Sequence, residues 1–234
     1  MHDLQIDHLV YAVSDLPAAV ADVEERFGVQ ARAGGKHIGL GTHNALLALG
    51  PLTYLEIIAP DPEQPEPSTP RPFGVDSADH GRLVRWALAC DDIDVAVAEA
   101  RSHGYDPGEV VDGQRAEPAG KVLRWRLTVS EMAGGLAPFL ISWGETEHPA
   151  RSAPRGLTLE AFHIEHPDPP SLAPLLQHGI NIVECKSSRM RPFQLRRRKK
   201  STACAPFSPN RRLFPLSHKE RIATKLPLAS INRL

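Results

Sequence analysis

An internal repeat at an offset of 77 residues governs how this chain can fold: Val13-Ser14-Asp15-Leu16 superposes on Cys90-Asp91-Asp92-Ile93. Such self-similarity has to be weighed before any local reading. Residues 5–13 alternate and are rich in β-forming side chains, so they predict a strand. Ser14 or Asp15 can cap a helix, Leu16-Pro17 suits its first turn, and Gly28 suits its end. Ala33-Gly34-Gly35 reads as a turn, and His37–Leu40 and Asn44–Leu49 as a hairpin around Gly41-Thr42-His43. Thr53–Ala59 then closes the unit as a strand. Val84–Ala89, a helix over Val95–His103, and strands near 107–112, 121–130 and 137–143 repeat the order. The fold class expected is α+β: two paired βαβββ modules whose curved sheets enclose a cleft.

The expected boundaries follow. Module one spans 4–60, a linker 61–81, and module two 82–150. Pro60, Pro62, Pro65, Pro67, Pro70 and Pro72 rule out a helix in the linker. A βαβ-like extension occupies 155–183, with a strand over Leu157–His166, a helix over Ser171–Gln177 and a strand from Gly179 to Val183. Periodicity then stops. Residues 185–234 carry 14 Lys+Arg and one acid, leaving 13 basic and 27 acidic residues for 1–184. The run Arg196-Arg197-Arg198-Lys199-Lys200 could suit nucleic acid, but an unpacked, disordered tail or a frame-shifted or fused ending explains residues 184–234 better. Nucleic acid is therefore not an expected partner.

At 41% apolar and 24% charged residues, the chain has the composition of a globular protein able to bury a core. No apolar run reaches the length of a membrane span. Three widely spaced cysteines suggest neither a disulfide framework nor a zinc knuckle, so a reducing cytoplasm is expected.

Two strands place one ionisable side chain each in an apolar run: His8 in Ile6–Val13 and Glu56 in Tyr54–Ala59. A buried polar group costs free energy unless it has a partner. Alternation puts His8, Val10 and Ala12 on one face, and Tyr54, Glu56 and Ile58 on one face. His8 and Glu56 can thus meet in a cavity, as a catalytic acid/base pair, as metal ligands, or as a structural hydrogen-bonded pair. His37 and His43 share a face if the hairpin strand is continuous, with Asn44 beside them and Tyr54 near Glu56 as contacts to a bound molecule. His163 and His166, three apart in a strand, face opposite ways and do not serve one ion.

Asp7-His8-Leu9-Val10-Tyr11, His37 with Gly41-Thr42-His43-Asn44, Tyr54-Leu55-Glu56, Arg82–Leu88, Pro138–Trp143 and His148-Pro149, in this order, resemble the vicinal oxygen chelate superfamily, and within it the glyoxalase-like domain family. The resemblance covers about residues 4–183. It implies a small carbonyl- or hydroxyl-bearing ligand and a divalent metal ion on His8 and Glu56, supporting isomerase, lyase or dioxygenase chemistry. A metal-free binding protein of the bleomycin-resistance kind is the alternative, and a homodimer is an expected assembly. The second module departs from the metal pattern. The offset places Arg85 where His8 stands and a position at or near Leu140 where Glu56 stands, and neither side chain ligates a metal. Arg85 is expected instead to hold an anionic group of the ligand or to pair with Glu56.

Overall fold

The computed structural model describes residues 5–78, 81–118, 120–129, 136–166, 181–184, 189–190 and 194–197. Strand β1 (Gln5–Ala12), helix α1 (Leu16–Phe27), β2 (Arg32–His37), β3 (Thr42–Ala48) and β4 (Tyr54–Pro60) are followed by a short 3-10 segment (Pro72–Ser77). Then come β5 (Arg82–Ala89), α2 (Ile93–Ser102), β6 (Glu109–Ala116), β7 (Val122–Val129) and β8 (Phe139–Ser142). The fold is mixed α+β. Its eight strands form one sheet that closes on itself, in the order β1-β4-β3-β2-β6-β7-β8-β5. Closure leaves no free edge in this sheet.

Both helices are capped where the repeat predicts. Asp15 accepts from the Ala18 amide at 2.9 Å, and Asp92, 77 residues later, accepts from the Asp94 and Val95 amides at 3.0 and 3.1 Å. Gly28 ends α1 with φ 64°, where a left-handed residue lets its N–H reach the Glu24 carbonyl.

Alternation divides each strand between two cores. Leu9, Leu47, Leu55, Ile57, Trp86, Leu88 and Leu140 pack with Leu16, Val23, Ile93 and Val97 from the helices. The intervening Val10, Ala12, Ile58, Val84, Ala87, Phe139 and Ile141 form a cluster without residues of α1 or α2, which is the barrel interior. Val75 and Ala78, at the end of the proline-rich linker, join this inner cluster, with Phe73 packed against it.

The linker is strapped down by Arg71, which donates to the Gly41 carbonyl at 2.8 Å and to Glu66 and Asp76. Phe73 bends there at φ 61°, a left-handed conformation that a non-glycine residue adopts at a cost of about 1–3 kcal/mol. Its ring stacks on Phe139 at 5.8 Å.

Ala33-Gly34-Gly35, read as a turn, lies inside β2. The glycines serve close approach rather than reversal. A Cβ at Gly34 would overlap Asn44 Oδ1 and Arg115 Nη1, and one at Gly35 would overlap the Ala116 carbonyl. Gly34→Ala is therefore expected to destabilise the fold by about 1–3 kcal/mol in thermal or urea unfolding, and an unchanged variant would refute the packing read here.

The stretch Leu157–His166 is two strands, β9 (Leu157–Ala161) and β10 (His163–His166), the latter parallel to β11 (Asn181–Glu184). Two further short strands, β12 (Arg189–Met190) and β13 (Gln194–Arg197), fall beyond the expected domain edge at 183. β13 pairs with β9, and Leu195 packs on the main core. The expected helix over Ser171–Gln177 and the tail after 197 lie outside the described residues, as do the side chains of His163 and His166.

Candidate functional site

The polar residues of the barrel gather at one end of the interior. β1 and β4 run parallel with Val10 opposite Glu56, and β3 runs antiparallel to β4 with Asn44 opposite Ile58. This register brings His8, Asn44 and Glu56 to one wall. All three are buried, as are Asp7, His37, Thr42 and Arg115.

Asp7 enters through an irregularity in β1. Ile6 pairs with Leu88 and His8 with Ala87, so Asp7 is an extra residue in the ladder. A bulge of this kind re-aims a side chain that alternation would point away. Asp7 Oδ1 lies 2.6 Å from His8 Nδ1, while Oδ2 accepts from Trp143 Nε1 at 3.0 Å and lies 2.9 Å from His148 Nε2. The tautomer of His148 is set by its other nitrogen, which accepts from the Ala150 amide at 3.2 Å, so Nε2–H donates to Asp7. Burial alone would raise the Asp7 carboxyl, but the hydrogen bonds from His148 and His8 outweigh it and hold the group down at about 2. Asp7 is an anion, and an anion at Nδ1 keeps a proton there. That leaves Nε2 as the ring nitrogen facing the barrel interior and Glu56.

Across from it stands Glu56, with Oε2 3.8 Å from His8 Nε2, too long for a direct hydrogen bond. Oε1 accepts from Asn44 Nδ2 at 2.6 Å. Asn44 Oδ1 in turn accepts from Arg115 Nη1 at 2.7 Å. Arginine only donates, which fixes the orientation of the Asn44 amide between cation and carboxylate. His37 Nε2 lies 3.9 Å from Glu56 Oε1, and its Nδ1 3.0 Å from Thr42 Oγ1. Burial pushes the His37 imidazole down to about 4, with the positive fields of Arg115 and His43 adding to it and Glu56 opposing. His37 is a neutral ring near pH 7.

Aromatic rings frame this network. Tyr54 stacks on His8 with centroids 4.6 Å apart, and Phe139 meets His8 edge-on at 5.3 Å. Tyr54 thus stands behind the imidazole as a wall, and burial drives its hydroxyl well above the usual range. Trp125 lies over Gly113 and meets His37 edge-on at 6.4 Å.

His8, Glu56, Asn44, His37 and Tyr54, all singled out from the sequence, come together. His43 does not join them. The reversal at 38–41 pairs His37 with Thr42, so Thr42 and Asn44 share the inner face and His43 turns outward, 3.9 Å from Asp61. Arg85 is half-buried, and its described hydrogen bond goes to the Val84 carbonyl at 3.1 Å. The cation in contact with the Glu56 network is Arg115. Asp7, Arg115, Trp143 and His148 were not picked out as site residues. The bulge hides Asp7 from parity, and Arg115 looks like any charged residue of a half-exposed strand. Position matching also sharpens. Val10 faces Glu56 across β1–β4, and its repeat equivalent Ala87 faces Phe139 across β5–β8. The second-module counterpart of Glu56 is therefore Phe139, an apolar residue like the neighbouring Leu140.

Residues 6–180 match the family described as the Glyoxalase-like domain. The chain belongs to this family. No curated protein matches it. A hypothetical protein from Staphylococcus aureus shares the fold at 17% identity and TM-score 0.58, over 82% of this chain and 90% of that one. Methylmalonyl-CoA epimerase from Mycobacterium tuberculosis aligns at 22% identity and TM-score 0.42, over 59% of this chain and 87% of that one. The Streptomyces coelicolor methylmalonyl-CoA epimerase in complex with 2-nitronate-propionyl-CoA aligns at 21% identity and TM-score 0.44, over 62% of this chain and 99% of that one.

The vicinal oxygen chelate resemblance raises the question of a metal ion. Among the described residues no three His, Cys, Asp or Glu side chains are grouped to hold one. The two imidazoles face different oxygens of a single carboxylate, one of which Asn44 already occupies. The equivalent positions of the second half, Arg85 and Phe139, offer no lone pair. Among the described residues, the donor set of this glyoxalase-like domain therefore does not fit a metal centre. No described helix is long and apolar enough to cross a membrane.

Proposed function

We propose that this glyoxalase-like domain binds a small carbonyl- or hydroxyl-bearing molecule in the cleft enclosed by its two βαβββ modules and moves a proton on it without a metal. The observation that carries the reading is the Asp7–His8–Glu56 alignment: an anion at 2.6 Å on Nδ1, Nε2 directed inward, and a carboxylate 3.8 Å beyond. In this reading His8 Nε2 removes a proton from the carbon beside a ligand carbonyl. The C–H electron pair passes to the carbonyl oxygen as an enolate, and the same nitrogen returns the proton. Asp7 and Glu56 stabilise the imidazolium that forms between them, and the Arg115 guanidinium supplies a positive field for the enolate. The rest of the molecule lies in this reading against Trp125 and Trp143, which line the cavity beside Gly113.

The test is deuterium wash-in. Small carbonyl compounds are incubated with chelator-treated protein in heavy water, and exchange beside the carbonyl is followed by NMR. His8→Gln and Glu56→Gln are expected to slow exchange by about 10²–10⁴-fold, the usual contribution of a positioned base. Exchange that needs an added divalent ion, or that survives both substitutions, sinks the proposal. Saturable binding with no exchange in any compound would instead favour a binding protein without turnover.

A further inference from the structure

Arg115 is 4% exposed, and its Nε has no hydrogen-bond partner among the described residues. Asn44 is its one described partner, on Nη1. A guanidinium presents two useful edges, and the side-on edge, formed by Nε and Nη2, matches the two oxygens of a carboxylate with parallel hydrogen bonds. Here that edge carries a buried donor left idle. Burying a cationic donor without an acceptor is unfavourable, so native structures rarely keep one without a use.

The surroundings are built around this side chain. Gly34 leaves the space that the Asn44 and Arg115 contact fills, and Gly35 lets β2 come up to Ala116. Glu56 is held off by the intervening amide and does not neutralise Arg115 by direct contact. His37, whose ring feels the Arg115 charge, stays neutral because it is buried. Two residues along the same face of β6, Gly113 carries the Trp125 ring, an apolar wall beside the cation.

We infer that Arg115 is a carboxylate clamp, and that the ligand of this cleft is a small carboxylic acid whose anionic group meets the Nε edge of Arg115 while its body lies toward Trp125. This rests on the proposed proton-transfer site and names its substrate class: a 2-oxo acid, in which the carbon to be deprotonated and the carboxylate flank one carbonyl.

The test reads Arg115 directly. Protein labelled with ¹⁵N-arginine gives resolved Nε–H signals, and the Arg115 signal is assigned by its loss in Arg115→Lys or, should that variant not fold, by its contact with the Asn44 amide. Pyruvate, phenylpyruvate and acetate are titrated in, with methyl pyruvate as the uncharged control. The expected result is a saturable shift of the Arg115 signal with at least one acid and none with the ester. Arg115→Lys is expected to weaken that binding about 10–100-fold, the worth of hydrogen bonds to a charged group. Equal shifts from acid and ester would show a neutral oxygen site and overturn the carboxylate assignment, and silence from every acid would overturn the clamp itself. His8→Gln separates the two readings. If it binds the acid as wild type does but no protein exchanges deuterium, the clamp stands and the proton-transfer reading falls.

Discussion

Replacing Asp7 with alanine is expected to remove about 3–5 kcal/mol of unfolding free energy, the usual consequence of deleting one partner from a buried charged set. Asp7 is fully buried and meets His8, His148 and Trp143 within 3.0 Å. Without it, the buried His8 and the part-buried Trp143 and His148 lose their acceptor, and a buried orphan donor costs about 1–3 kcal/mol. Asp7→Asn keeps the volume yet turns an amide N–H₂ toward groups that already donate, so it recovers little. The folded pKa of Asp7 is depressed from 3.8 to about 2, so its contribution is fully present above pH 3.8 and is lost as pH falls through about 2. Urea unfolding at pH 7 checks the size. A loss under about 1 kcal/mol would mean that the buried network reorganises around the gap and that Asp7 does not set the His8 tautomer.

A second large effect is an acid limb that belongs to His37. Its folded pKa is depressed from 6.5 to about 4, mainly by burial. The unfolded chain therefore binds a proton that the folded chain refuses across this window. The stability involved is fully present above pH 6.5 and declines until pH reaches about 4, by about 3 kcal/mol at 1.36 kcal/mol per pH unit. His37→Gln keeps polarity without titrating. Its stability curve is expected to stay flatter than wild type between these limits and to rejoin it in slope below pH 4, where Asp7 takes over. Parallel curves for the two proteins would rule out His37 as the source.

The repeat carried most of what was legible in the sequence. Helix caps, strand order and the meeting of His8 with Glu56 follow from an offset and from alternation, both of which depend on chain-local chemistry. What escaped depends on partners distant in the chain. Gly34 and Gly35 look like a turn until Arg115, eighty residues away, claims the space beside them. Asp7 is itself the extra residue in the β1 ladder, so the parity rule fails at that one position. His148 acts through a ring nitrogen fixed by the Ala150 amide, a contact that no spacing announces. Arg85 and Arg115 are both strand arginines, and only the tertiary register tells which one reaches Glu56 through Asn44.

The two halves of the barrel are stitched together unequally. Where β1 meets β5 the pairing runs from Gln5–Ala89 to Ala12–Arg82, whereas β2 and β6 share the one pairing of Lys36 with Ala116. A closed sheet of this kind has a spine and a clasp. Arg115 on the β6 side of the clasp reaches past β2 to Asn44 of β3, so a buried polar tie backs the seam where backbone pairing is thinnest.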